Sequence, residues 1–137
     1  MESFANLVAR HPHTTFIGAH VGCYSENLGW VGALLDRCQN FYVDISARIG
    51  ELGRQPYTAR RFFIQYADRI LFGSDMGPDQ DAYRICYRFL ETDDEHFNYN
   101  TGDIPLQGRW YVHGLYLPDD VLEQIYHKNA QRVLENG

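Results

Sequence analysis

The sequence predicts an α/β domain built around a parallel sheet. Three short apolar segments rich in β-branched and aromatic residues, 14–20, 40–46 and 69–75, have the composition of buried strands, and a helical pattern separates each from the next. Strands that alternate with helices form βαβ units, in which neighbouring strands run parallel. No linker and no block of like charge divides the 137 residues, so we expect one domain over residues 1–137.

Each helix has a recognisable beginning, face or end. Apolar residues recur at helical spacing in four of the five. Pro56 suits the first turn of the third helix, and the acids that open the fourth helix favour its dipole. Residues 92–117 are rich in Tyr, Gly and Asp and lack a period, so we expect irregular structure there. The predicted helices cover residues 2–10, 27–38, 56–67, 79–91 and 117–137, the last ending in Asn-Gly.

Composition excludes several classes of protein. The formal net charge is −6, and Lys128 is the only lysine beside eleven arginines, so neither nucleic acid nor an anionic membrane is an expected partner. No apolar run approaches the roughly 20 residues that span a bilayer. The first twelve residues lack the apolar core of a secretory signal. Three cysteines without a CxxC pair predict free thiols, a cytoplasmic location and no structural zinc site.

Polar residues at the ends of the strands carry the functional prediction. The first strand ends on His20 and the third on Asp75, which is followed by Gly77-Pro78. In parallel α/β folds the chemistry sits at the carboxyl ends of the strands, so we expect both side chains at one edge of the sheet. On the second strand, the alternation of polar and apolar residues places Tyr42, Asp44 and Ser46 on one face, and we expect that face to line a cavity.

Each of these residues also has a structural interpretation. A lone histidine at a strand end is often only a hydrogen-bonded structural residue. Asp75 has the position of a cap for the helix that starts near residue 79. Asp44 is suited to binding backbone amides in a loop. The segment 92–117 is either a lid or subunit contact near the site, or an aromatic plug that packs the last helix, and the second interpretation is favoured.

Four stretches resemble a known family. "HPHTTFIGAHVG", "NFYVDIS", "DRILFGSDMGP" and "LPDDVLEQIYHKNAQRVL" are similar, in this order, to the carboxyl-terminal part of the amidohydrolase-related family of metal-dependent hydrolases and non-oxidative decarboxylases. The resemblance implies a partial (β/α)₈ TIM barrel, in which the three strands correspond to the last three βα units and are followed by a C-terminal helix. A nucleotide-binding doubly wound fold is disfavoured, because no strand leads into G-x-G-x-x-G.

The resemblance also implies roles for three residues. His20 matches an acid/base or metal-binding histidine, and Asp75 matches an aspartate that binds the metal and accepts a proton from its water. The implied cofactor is a divalent metal, most often zinc. Arg48 is a candidate to hold a substrate carboxylate, or else a salt-bridged arginine on the rim. The pair His11 and His13 precedes the first strand, at the opposite edge of the sheet, so we do not expect it to bind the metal.

Length sets the last expectation. A (β/α)₈ barrel takes about 250 residues and a catalytic zinc takes three protein ligands, so we expect 137 residues to be the carboxyl-terminal portion of such a barrel. Its expected partners are a small-molecule substrate and either another copy of the chain or a missing amino-terminal half. The predicted function is hydrolysis or decarboxylation of a small carboxylated or cyclic substrate by metal-activated water. The alternative is a catalytically silent fragment or assembly module.

Overall fold

A three-stranded parallel sheet lies at the centre of the computed structural model, which describes residues 1–105 and 107–135. The strands are β1 (Phe16–Gly18), β2 (Phe41–Asp44) and β3 (Ile70–Leu71), with β2 in the middle. Phe16 pairs with Phe41, and Asp44 pairs with Leu71. The predicted α/β class and the parallel sheet are thereby confirmed, and the carboxyl ends of all three strands meet at one edge.

Helices surround the sheet in the predicted order. One short helix, Ile49–Leu52, was not predicted, because four residues are too few to show a period. The predicted final helix is interrupted by a π-helical turn over Gln124–Lys128, and its Asn-Gly end, residues 136–137, lies outside the described residues. In the described part of the chain, no helix is long and apolar enough to cross a bilayer. The helices are α1 (Glu2–Arg10), α2 (Leu28–Arg37), α3 (Ile49–Leu52), α4 (Pro56–Gln65), α5 (Gln80–Glu91), α6 (Asp119–Glu123) and α7 (Asn129–Glu135).

The core packs against one face of β2. Phe41 and Val43 on that face are buried, while the alternating residues Tyr42 and Asp44 are partly exposed, as the sequence predicts. Large side chains from α4 and α5 complete the core. The fully buried aromatic rings are Phe41, Phe63 and Phe89.

The outer edge of β3 is closed by the end of the chain. The N–H of Phe72 donates to the carbonyl of Ile125 (3.0 Å), which lies in the π-helical turn. Asn129 is fully buried, and its Nδ2 donates to the carbonyls of Ala67 (2.7 Å) and Ile70 (2.8 Å). The backbone groups that an added strand would need on this side are therefore already used.

The outer edge of β1 is open. The N–H of Phe16 donates to the carbonyl of Asn40 on the β2 side (2.8 Å), so the backbone groups of the next residue, Ile17, point away from the sheet. Ile17 is 49% exposed, and no strand within the described ranges pairs with the outer edge of β1. The two edges of the sheet are thus unequal.

The segment 92–117 packs on the core through both aromatic and aliphatic side chains. Phe97 and Val112 form an antiparallel bridge, and each N–H donates to the other's carbonyl at 3.0 Å. Of the three residues expected to form the aromatic plug, Trp110 is partly buried against the core, while Tyr111 and Tyr116 are 40% and 61% exposed. The buried residues of this segment are Phe97, Pro105, Val112, Leu115 and Leu117.

Candidate functional site

A left-handed turn follows β1 and sets the position of His20. His20 (φ 59°, ψ 42°), Val21 (φ 56°, ψ 41°) and Cys23 (φ 55°, ψ 29°) all have left-handed backbone, as does Gly22 between them (φ 64°). This region is rare for non-glycine residues and especially for a β-branched one such as Val21. Each non-glycine residue held there costs about 1–2 kcal/mol. Contacts from the rest of the fold must offset that cost.

Asp44, at the end of β2, supplies these contacts. Its Oδ1 accepts hydrogen bonds from the N–H of His20 (2.9 Å), the N–H of Ser46 (3.0 Å) and the hydroxyl of Ser46 (2.5 Å). The carboxylate therefore ties the left-handed turn after β1 to the loop after β2. Its binding of backbone amides is the structural interpretation that the sequence already offered for Asp44.

The surroundings of the His20 ring determine which nitrogen carries the proton. Nδ1 lies 2.9 Å from the carbonyl oxygen of Ser46 and 3.1 Å from its Oγ. A carbonyl only accepts, and the Ser46 hydroxyl already donates its proton to Asp44, so this network assigns a proton to Nδ1. In the neutral ring Nε2 then keeps its lone pair. Such a nitrogen can accept a proton or bind a metal.

Asp75 lies beyond β3 and lines a cavity of about 300 Å³. It is exposed and has left-handed backbone (φ 60°). Gly73 lines the same cavity and adjoins the cluster around His20, since a Cβ placed on it would lie 3.4 Å from the Cβ of Ser46. Both predicted residues thus lie at the carboxyl edge of the sheet, although no hydrogen bond joins His20 to Asp75 among the described residues.

Asp75 does not cap the following helix. The N-cap of α5 is Asp79, whose Oδ1 accepts from the N–H groups of Asp81 (2.9 Å) and Ala82 (3.3 Å). The carboxylate of Asp75 is therefore not used for capping.

The cavity wall comes from segments that are distant in sequence. Among the described residues that line it, Asp75 is the one that carries a charge. Burial raises the pKa of the Cys86 thiol and of the Tyr99 hydroxyl, so both groups are neutral at pH 7. The other lining residues are Ile45, Ala47, Ile49, Gly50, Gly73, Ser74, Met76, Ala82, Ile85, Asn100, Thr101 and Gln107.

The polar face predicted for the second strand lies elsewhere than expected. The predicted polar face does not line the cavity: Ile45 and Ala47 do, while Asp44 and Ser46 are directed to His20. The reason is that the strand ends at Asp44, so its alternation does not continue into the loop.

Nη1 of Arg48 pairs with Oε1 of Glu51 at 3.3 Å, which agrees with the salt-bridge interpretation. A role of Arg48 in substrate binding stays a prediction.

The described residues do not form a complete catalytic zinc site. No group of three or more His, Cys, Asp or Glu side chains among them is placed to hold a metal ion. A catalytic zinc takes three protein ligands, and His20 and Asp75 supply two at most. His11 and His13 are exposed and precede β1, at the opposite edge, as expected.

Sequence reasoning missed most of the cavity wall. Ala82, Ile85 and Cys86 follow helical spacing on α5, which is equally typical of a core-facing helix. Tyr99 and Gln107 come from a segment without a period. The one available signal was the density of polar and aromatic residues in 92–117, which is typical of binding loops and of packing segments alike.

The fold and the polar side chains that follow its strands define an α/β domain with a candidate functional site at the carboxyl edge of a parallel sheet. The amidohydrolase family model matches residues 1–135, and the chain therefore belongs to the amidohydrolase family. The family typically depends on a metal. Comparisons with curated proteins and with solved structures gave no match.

Proposed function

We propose that this domain contributes His20 and Asp75 to a hydrolase or non-oxidative decarboxylase that acts on a small molecule. The observation that carries the proposal is the hydrogen-bonded state of His20. Its Nδ1 donates to Ser46, which leaves Nε2 with a lone pair at the edge of the sheet where Asp75 lines a cavity. Family membership supports the same class of reaction.

In the proposed reaction His20 transfers the proton. Nε2 of the neutral ring accepts a proton from water or from the substrate and returns it to the leaving group. The cation that forms in between keeps donating Nδ1–H to the carbonyl of Ser46, and the ring therefore does not need to turn. Asp75 offers the substrate or an attacking water a carboxylate acceptor. No step is assigned to a metal, because the described residues do not complete its ligand set.

We further propose that the three strands correspond to the sixth, seventh and eighth of a (β/α)₈ barrel. The open edge of β1 and the exposure of Ile17 support the addition of further strands on that side. Those strands would come from an amino-terminal half or from another copy of the chain. On this proposal they also supply the missing ligands of a divalent metal, zinc being the one implied by the resemblance. The alternative is a catalytically silent module.

Zinc uptake tests whether copies of this chain complete the metal site among themselves. The EDTA-treated chain is titrated with zinc against a colorimetric chelator, and near-stoichiometric binding that Asp75→Ala abolishes supports metal ligation. Asp103→Ala is the control, since Asp103 is an exposed acid outside the cavity wall. No zinc uptake at micromolar supply contradicts a metal site assembled from copies of this chain, and leaves an amino-terminal half as the source of the ligands or the silent module.

Proton transfer is tested with a panel of small lactones, amides and carboxylated rings. We expect His20→Gln to lower any detected turnover by about 10²–10⁴-fold, the usual contribution of a general acid/base. His13→Gln, a change at an exposed histidine, is the control and should leave the rate unchanged. Equal rates for His20→Gln and the unchanged chain would contradict the assignment.

A further inference from the structure

We propose that Asp44 is a positioning residue of the site: by holding the hydroxyl proton of Ser46, it fixes the His20 ring in the tautomer that carries its proton on Nδ1. This inference rests on the proposed function, because it treats the lone pair of Nε2 as the group that acts in the reaction. It assigns to Asp44 a role in the chemistry of His20 that is separate from its hold on the backbone of the turn.

Ser46 provides both groups that surround Nδ1 of His20 in the described part of the chain. Its carbonyl oxygen lies 2.9 Å from Nδ1, and its Oγ lies 3.1 Å away. The carbonyl can only accept a hydrogen bond, whereas the hydroxyl can accept one or donate its single proton. The direction of that proton therefore decides whether an unprotonated Nδ1 has a donor within reach.

Asp44 removes that donor. Oγ of Ser46 lies 2.5 Å from Oδ1 of Asp44, and Ser46 is only 6% exposed, so water has little access to this hydrogen bond. A hydrogen bond to a carboxylate is stronger than a hydrogen bond to a neutral acceptor such as a ring nitrogen. The Ser46 hydroxyl therefore gives its proton to Asp44 and turns only lone pairs toward Nδ1 of His20.

The tautomer with the proton on Nε2 is disfavoured at two places. Its unprotonated Nδ1 faces the lone pairs of the Ser46 carbonyl at 2.9 Å, and it gains a donor only if the hydroxyl leaves Asp44. Losing a hydrogen bond to a charged group changes an equilibrium constant by a factor of about ten to a hundred. We therefore expect about nine tenths or more of the neutral His20 ring to carry its proton on Nδ1.

This tautomer leaves Nε2 of His20 available for the proposed reaction. A ring nitrogen with a lone pair can accept a proton or bind a metal, and a protonated one can do neither. Asp44 acts on Nε2 through the Ser46 hydroxyl and the His20 ring, so its role is to position a reacting group rather than to react.

The test measures the tautomer of His20 by NMR. Long-range ¹H–¹⁵N spectra of the ¹⁵N-labelled chain in EDTA distinguish a protonated ring nitrogen from an unprotonated one. They are recorded at about pH 8, where a histidine with the ordinary pKa of about 6.5 is neutral. The signals of His20 are those that His20→Gln removes. We expect the unchanged chain to show the proton on Nδ1.

A pair of single variants and their combination isolate the hydroxyl proton. In Asp44→Ala the freed Ser46 hydroxyl can donate to Nδ1, so the share of the Nε2–H tautomer should rise at least about threefold. Ser46→Ala removes this donor and leaves the carbonyl, so both Ser46→Ala and Asp44→Ala/Ser46→Ala should carry the proton on Nδ1. Asp79→Ala is the control and should leave the tautomer unchanged, since Asp79 also accepts from two backbone N–H groups, at the start of α5.

Asp44→Asn answers the question if Asp44→Ala does not fold. It keeps an oxygen acceptor for the turn but holds the Ser46 hydroxyl less strongly, so the share of Nε2–H should rise, and adding Ser46→Ala should reverse the rise. The inference is overturned if both Asp44 variants keep the tautomer of the unchanged chain. It is also overturned if adding Ser46→Ala does not restore Nδ1–H, because loss of the turn would then explain the change.

Failure of the inference is distinguishable from failure of the proposed function. If the unchanged chain carries the proton on Nε2 of His20, the observation behind the proposed function fails together with the inference. If the unchanged chain carries it on Nδ1 and only the variants depart from expectation, the inference alone fails.

Discussion

Replacing Asp44 tests whether one carboxylate holds the left-handed turn that presents His20. Asp44→Ala removes the acceptor for two partly buried backbone donors, the N–H groups of His20 and Ser46, and for one hydroxyl. A hydrogen bond to a charged group contributes about 1.5–3 kcal/mol. Because Asp44 is only partly buried, we take the lower value for the two backbone donors and expect a loss of about 3 kcal/mol in the free energy of unfolding.

The measurement is urea unfolding followed by circular dichroism. With a slope of about 1–3 kcal/mol per molar urea, a loss of about 3 kcal/mol lowers the midpoint by about 1–3 M. Asp44→Asn keeps an oxygen acceptor and should lose about 1 kcal/mol. Asp81→Ala is the control, since Asp81 forms an exposed ion pair with Arg84 and its loss should change stability by less than about 1 kcal/mol.

Hydrogen exchange shows whether the loss is local. In Asp44→Ala the amide protons of His20 and Ser46 should exchange about tenfold faster than global destabilisation alone explains, since 1.4 kcal/mol corresponds to a factor of about ten. Two results would refute the assignment of Asp44 as the residue that holds the left-handed turn. One is that Asp44→Ala unfolds at the same urea concentration as Asp81→Ala, and the other is that hydrogen exchange rises uniformly along the chain.

Two further predictions concern the carboxyl-terminal part of the chain. Asn129→Ala leaves the carbonyls of Ala67 and Ile70 without their donor, so it should cost about 2–4 kcal/mol in urea unfolding, against less than about 0.5 kcal/mol for the exposed Gln131→Ala; similar values for both would contradict it. Burial and the hydrogen bond to Glu91 raise the pKa of Tyr126, so the folded chain keeps a proton that the unfolded chain loses near pH 10. Its contribution to stability is therefore present below about pH 10 and is lost as the pH rises further, and the free energy of unfolding of Tyr126→Phe should fall less steeply above that pH.

Much of the fold could be predicted because each element is marked locally. Pro56 marks the start of α4, and the alternation of β2 places Phe41 and Val43 in the core. The ends of the strands could not be predicted, because they depend on which hydrogen-bond partner each backbone group has in the folded chain. Phe72 continues the apolar run of β3, yet its N–H bonds to Ile125 in the π-helical turn rather than to a neighbouring strand.

The positions of the two candidate residues could be predicted from the sequence, but their surroundings could not. The positions of His20 and Asp75 at one edge follow from the parallel order of the strands. The state of the His20 ring does not, because it depends on Ser46, 26 positions away in sequence. The cavity was missed for a related reason: its walls meet only when α5 and the segment 92–117 pack beyond the ends of the strands.

The unequal edges of the sheet limit how copies of this chain can associate through their strands. At the outer edge of β3 the carbonyl of Ile125 and the side-chain amide of Asn129 occupy the backbone hydrogen-bonding positions. At the outer edge of β1 the backbone groups of Ile17 have no partner strand among the described residues. Two molecules that pair through their β1 edges use the open edge of both, so a third molecule has no open strand edge to join. Association through the described strand edges alone would therefore stop at a dimer.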